Sequence, residues 1–349
     1  MKMSIDGMRS LYGGYWRYNI LDFHYLMNHY FPTKEMYAVL QKELPMLCDN
    51  YPSCQKVIAK LLSKWKSEDY FNEDNLIVSN GSSELIRFMS FIINKATIPI
   101  PTFNEYVKMP ANKINFFYTD EENKFKIEID KLIEAIKKSK SDFVVLVNPN
   151  NPVGNILTKT EIKKLLDTGV KTIVDEAFID FSRENSVENL VKEYDNLIII
   201  TTCTKTMGLS GLRLGYMLTT NNEIKEKIRN MLPIWNINSL AERFIELFTE
   251  FEEYYWKSIE RTVEDKKYLF KKLKEIDYLE PFESHSNFIF CKTTISARRI
   301  AEHLFDKHRI MIKDGLNQKN LKSDFYIRIG IKTKSDNDKL ISGLKGIIS

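Results

Sequence analysis

The sequence predicts an α/β protein with a large domain built on a mainly parallel sheet, followed by a small C-terminal α/β domain. Three observations lead there. Between about residues 42 and 229, apolar runs of strand length alternate with helical patterns, as they do where helices cross over a parallel sheet. A long helical pattern then covers 238–276, with Phe244, Leu247, Phe251, Tyr254, Tyr255 and Ile259 recurring at helical spacing. The tail places strands at 287–292 and 325–331 around a helix at 297–307. The chain therefore divides into an arm (1–40), a large domain (41–230), and a linking helix with a small domain (231–349).

The arm is rich in aromatic residues and carries no assigned element. Residues 76–78 form a strand that runs into Ser79-Asn80-Gly81-Ser82-Ser83-Glu84, then a helical pattern through Leu85, Ile86, Met89, Ile92 and Ile93. A helix start there offers free backbone N–H groups and a positive dipole end, an anion site; a capping box is the alternative. Pro101-Thr102-Phe103-Asn104-Glu105-Tyr106 follows. The buried run Phe143–Val147 ends in Asn148-Pro149-Asn150-Asn151-Pro152-Val153-Gly154, where the prolines stop the strand. The run 171–174 ends in Asp175-Glu176-Ala177-Phe178; standing alone, Asp175 reads as a helix N-cap. The run 197–201 enters Thr202-Cys203-Thr204-Lys205, followed by a glycine-punctuated loop closing on Arg213. That stretch places one lysine amine beside Thr202, Thr204 and Arg213, which are suited to hold an anion. The aromatics of 238–276 are expected to pack against the large domain or a partner subunit. Arg328, inside an apolar strand, needs an anionic partner.

Composition fits an ordinary enzyme. The 349 residues are 43% apolar, and 51 basic against 47 acidic residues give a formal charge of +4. So balanced a chain offers no case for nucleic acid or a membrane surface as partner. Cys48, Cys54, Cys203 and Cys291 lack metal spacing and point to reduced thiols in a cytoplasmic setting. The first ten residues do not read as a signal peptide, and no apolar stretch approaches the roughly 20 residues of a membrane span.

In this order and spacing the motifs resemble those of the pyridoxal-phosphate (PLP) aminotransferase class I/II superfamily, fold type I. Within it they are similar to the histidinol-phosphate aminotransferase and threonine-phosphate decarboxylase group, from about Tyr12 onwards. The resemblance implies an aspartate-aminotransferase-like fold, PLP as cofactor, and a homodimer with shared sites. It implies that Lys205 bonds the cofactor and Asp175 pairs with its ring nitrogen. Asn151 would bind its phenolic oxygen and Tyr106 would stack on its ring. Its phosphate falls to Ser82, Ser83, Thr202, Thr204 and Arg213, with Tyr51 reaching it from the other subunit. As a lone feature, Tyr51-Pro52 is a loop tyrosine before a proline. Arg328 would grip the substrate's α-carboxylate, and Lys313, Tyr12, Gly13 and Gly14 would line the substrate's place.

Several features lean towards decarboxylation of a small phosphorylated amino acid, of the phosphoserine or phosphothreonine kind. Thr204 precedes the lysine, Phe178 stands where the aminotransferases usually have tyrosine, and Tyr12-Gly13-Gly14 is followed by Leu21-Asp22-Phe23. Ile312-Lys313-Asp314 and Ile331-Lys332 also resemble decarboxylase segments. Two departures point to a distinct substrate: Tyr12 replaces a usual histidine and Lys313 a usual arginine. His24 and His29 could supply polar contacts near the arm. An aminotransferase using glutamate and 2-oxoglutarate is the alternative, and a non-catalytic PLP-binding sensor is the alternative of another class.

Overall fold

The computed structural model describes residues 4–315, 321 and 324–347. Its large sheet contains β1 (Leu76–Ser79), β2 (Ala96–Ile100), β3 (Ile114–Tyr118), β4 (Phe143–Val147), β5 (Lys171–Asp175), β6 (Leu197–Thr202) and β7 (Gly215–Leu218). The spatial order is β1-β7-β6-β5-β4-β2-β3, parallel except that β7 runs antiparallel to both its neighbours. β4 is apolar throughout because it is buried on both faces of the sheet, so alternation is lost. One cluster around Val144, Leu146, Val174 and Ile199 fills one side, and another around Ile98, Val145, Ile173 and Ile200 fills the other.

The 35-residue helix Ser239–Leu273 starts where the Asn238 side chain accepts from the Ala241 N–H at 2.8 Å. Phe244, Leu247, Tyr255 and Ile259 are buried against the large sheet's cluster, and Phe251 packs at its edge. Tyr254 is exposed instead, because it lies on the opposite face of the helix from Phe248 and Ile259. The second sheet is antiparallel, formed by β8 (Leu279–Pro281), β9 (Phe288–Thr293), β10 (Lys313–Asp314) and β11 (Tyr326–Gly330) in the order β10-β11-β9-β8. Helices Ala297–His308 and Lys334–Lys345 complete this smaller C-terminal layer.

The arm belongs to the same packing. Ile5, Met8 and Phe23 are buried with Ile289, Leu304 and Ile329, and Leu21–Asp22 pairs in parallel with Ile310–Met311. Among the described residues no helix is long and apolar enough to cross a membrane.

Candidate active site

The carboxyl ends of β4, β5 and β6 open into a cavity of about 380 Å³, the usual ligand position in an open α/β sheet. It is bounded on the far side by the arm and by β10 and β11. Ser82, Ser83, Asn151, Asp175, Thr202, Thr204, Lys205, Arg213, Lys313, Arg328 and Tyr12 all line it. Gly13 and Gly14 do not; Gly14 (φ +69) serves the turn that leads into Tyr15–Arg17. Tyr51 also lies outside this cavity, 79% exposed and stacked on Trp235 with ring centroids 4.3 Å apart.

One wall is an anion cradle. The helix Ser82–Ile92 begins at Gly81, which provides no side-chain cap, so the capping-box alternative does not hold here. The first-turn N–H groups of Ser82 and Ser83 are left to face the cavity. Two glycines suit this wall, Gly81 by its φ of +75 and Gly215 by backbone crowding. A Cβ on Gly81 would meet Arg213 Nη2 at 2.5 Å, and one on Gly215 would meet Ser82 N at 2.7 Å. Thr202 caps the short helix Cys203–Thr206, its Oγ1 accepting from Thr204 N at 3.3 Å and lying 3.0 Å from Thr204 Oγ1. Two hydroxyls, two amides and the Arg213 guanidinium thus line the same cavity, a donor set suited to a phosphate dianion.

Asp175 ends β5 fully buried. Its Oδ1 accepts from Ala177 N at 3.0 Å, the N-cap-like bond expected of an aspartate there, while Oδ2 accepts from the Tyr106 hydroxyl at 2.8 Å. Burial pushes its pKa up to about 6, against the lowering effect of these bonds and of Lys205. Tyr106 lies beside this carboxylate. Its hydroxyl is committed to Asp175 and its buried ring does not line the cavity; Phe103, earlier in the same segment, does.

Lys205 sits on the strand-to-helix turn after β6. Burial, then the charges of Arg328 and Arg213, lower its pKa to about 8, and Asp175 works the other way. Such an amine has a neutral fraction of about a tenth at pH 7, far more than an ordinary lysine, and that fraction can attack a carbonyl. The arm holds this turn in place: Asn28 N donates to Lys205 O, and Asn28 Nδ2 to Thr206 O, both at 2.8 Å.

The NPNNPVG turn orients Asn151. Asn148 bonds Leu157 through both its amide groups, and Asn150 bonds Pro101 O and Val153 N, leaving Asn151 to project into the cavity. Asn151 Oδ1 accepts from Arg328 Nη1 at 2.7 Å, so its Nδ2 is turned to donate elsewhere. Arg328 Nη2 donates to His24 O at 2.8 Å, and Nε is buried without a partner. The anionic partner expected for this arginine is not a carboxylate among the described residues. Burial lowers its pKa to about 10. Lys313 stands opposite it in the β10–β11 ladder, its pKa lowered by burial and by Arg328.

Phe103, Asn104, Glu105, Lys108, Tyr25 and His24 also line the cavity. Phe103 was within reach of the sequence, being part of the segment 101–106. Asn28 and Tyr25 carried no signal, because their roles depend on where the arm docks.

This donor set fits PLP on structural grounds: an uncapped helix start, a glycine-lined cradle too close for a Cβ, a buried carboxylate and a lysine of lowered pKa. Comparison with known proteins agrees. Residues 46–344 match the family model of aminotransferase class I and II. The chain is 27% identical to CMP-5'-(3-aminopropyl)phosphonate synthase of Streptomyces rubellomurinus, over 98% of its own length and 55% of that protein's. It thus spans about half of that relative. It is 30% identical to histidinol-phosphate aminotransferase of Clostridium novyi (88% of this chain, 86% of the relative). It is 28% identical to an L-serine phosphate decarboxylase of Campylobacter jejuni (87% and 81%). The crystal structure of histidinol-phosphate aminotransferase from Clostridium acetobutylicum superposes with a TM-score of 0.84 at 28% identity, covering 94% of this chain and 99% of that one.

Proposed function

The chain belongs to the aminotransferase class I and II family, and we propose that it is a PLP-dependent decarboxylase of a small phosphorylated amino acid, yielding a phosphorylated amine. The observation that carries this reading is the presence of two separate anion-binding centres in one cavity. Arg213 with its cradle is one; Arg328 and Lys313, side by side on adjacent strands and in no salt bridge among the described residues, are the other. A cofactor phosphate would occupy the first. The second suits a substrate with two anionic groups.

When bound, PLP supplies an electron sink for the pair left by a bond broken at the substrate's α-carbon. The protein's residues do the rest. Ser82, Ser83, Thr202, Thr204 and Arg213 hold the cofactor phosphate, and Asn151 donates Nδ2 to the phenolic oxygen. Asp175 keeps a proton on the ring nitrogen, and Tyr106 holds Asp175 in place. Phe103, from the same segment as Tyr106, lines the cavity where the ring would lie. Lys205 would anchor the cofactor, and its amine is the group placed to return a proton to the substrate's α-carbon. Arg328 would bind the substrate's α-carboxylate and so orient the bonds at the α-carbon. Lys313 takes the phosphoryl group. Tyr51, too exposed to serve its own cavity, completes the cradle of a second copy in a homodimer.

Phe178, which brings no hydroxyl to the cavity, supports decarboxylation, as does the likeness to the L-serine phosphate decarboxylase. The comparable likeness to histidinol-phosphate aminotransferases supports transamination as the second reading. The test mixes PLP-loaded protein with O-phosphoserine and O-phosphothreonine in the absence of a keto acid. The expected result is catalytic release of carbon dioxide with the starting cofactor spectrum restored. Stoichiometric conversion to the pyridoxamine form, catalytic only with 2-oxoglutarate, would establish the aminotransferase instead. No turnover of any kind would favour a sensor.

A further inference from the structure

Two side-chain atoms in the cavity wall are buried without a partner, Arg328 Nε and His24 Nδ1. The backbone of His24 is fixed on both sides. Asp22 Oδ1 accepts from His24 N at 2.7 Å and from Tyr25 N at 3.2 Å, while His24 O accepts from Arg328 Nη2 at 2.8 Å. The imidazole packs beside Tyr25 and Tyr15, with ring centroids 5.3 and 6.1 Å away. Nothing among the described residues hydrogen-bonds the ring itself. A buried imidazole nitrogen left unpaired destabilises the ligand-free protein, so its persistence in a cavity wall calls for a partner that arrives from outside.

The surroundings specify that partner. Burial, then the charges of Arg328, Lys313, Arg9 and Lys205, hold the ring neutral, with its pKa pushed down to about 2. Arg9 is paired with Asp314 at 2.5 Å, and Lys205 is taken up by the cofactor in the proposed function. Of the remaining two cations, Arg328 bonds the His24 carbonyl and is assigned to the carboxylate, and Lys313 stands opposite Arg328 on the adjacent strand. A group that satisfies both Lys313 and an imidazole N–H must be anionic and have several acceptor oxygens.

Building on the phosphorylated-substrate reading above, we infer that His24 is a substrate-binding residue that holds the substrate's phosphoryl group together with Lys313. It thereby sets the preference for phosphorylated over plain amino acids.

The holoenzyme and its His24→Ala and His24→Gln variants are titrated with O-phosphoserine, O-phosphothreonine and serine, following the cofactor absorbance. His24→Ala should weaken the phosphorylated ligands about tenfold or more while leaving serine within about twofold, since a hydrogen bond to a charged group is lost. His24→Gln, with an amide N–H in place of the imidazole, should recover part of the loss. In turnover, KM should rise with little change in kcat. The inference is overturned if both variants keep the wild-type preference, or if all three ligands weaken equally. A wild-type protein that binds serine as tightly as either phosphorylated ligand defeats the proposed function itself, and this inference with it.

Discussion

A lysine in a protein interior is a different reagent from one in water. Lys205 loses hydration on burial and faces two arginines, so its pKa falls to about 8 although Asp175 is close enough to oppose the shift. The lowered pKa increases the neutral, nucleophilic fraction below pH 8. The rate at which cofactor-free protein captures PLP should therefore climb about tenfold per pH unit up to about pH 8 and then level off. Stopped-flow absorbance across pH 5.5–9.5 would measure it; a rate still climbing past pH 9 would mean an ordinary surface-like lysine. The neighbouring pair Asp175 and Tyr106 illustrates how far residue types alone can take an assignment. An aromatic in that segment was foreseeable, but Tyr106 and Phe103 lie three positions apart, and only their orientation separates a hydrogen-bond donor to Asp175 from a cavity wall.

The elements matter through what their ends leave unsatisfied. The helix Ser82–Ile92 has no side-chain cap, and β7 passes so close to its start that Gly215 has backbone atoms within 3 Å of where a Cβ would lie. Gly81 takes φ +75 with Arg213 against it. Gly81→Ala would impose about 1–3 kcal/mol of backbone strain. It would also displace the guanidinium, which, as the end of a flexible side chain, can move. The expected outcome is a PLP affinity reduced about tenfold or more, read by equilibrium titration, with a smaller loss in thermal stability. Gly211→Ala, with nothing within 4 Å of the new methyl, should change neither. A Gly81→Ala protein with unaltered PLP affinity would remove Arg213 from the cradle.

For the whole molecule, the question is whether one chain makes a complete site. Tyr51 and Trp235 form an exposed stacked pair beside Ile234, itself 72% exposed, and none of them lines the chain's own cavity. An exposed apolar group of this kind suits an interface between copies. In the homodimer we propose, Tyr51→Ala and Lys205→Ala damage different halves of a shared site. Mixing the two weakly active proteins under exchange conditions should restore about a quarter of the wild-type activity, because half of the dimers are hybrids with one intact site each. No recovery, in dimers shown to exchange, would place Tyr51 outside the site.

The sequence by itself determined the α/β class, the order of the chemistry-bearing segments, and their positions after strands. These follow from periodicity and turn chemistry acting over a few neighbouring residues, as in Asn148–Gly154 and Thr202–Lys205. The tertiary structure alone decided how the arm closes the cavity, with Asn28 bonded to the Lys205 turn and His24 to Arg328. It also decided that β7 runs antiparallel, and that Arg328 is buried beside Lys313 without a carboxylate among the described residues. Such contacts join residues separated by much of the chain. Packing of the arm and the C-terminal sheet against the large domain creates them, and no local pattern encodes that packing.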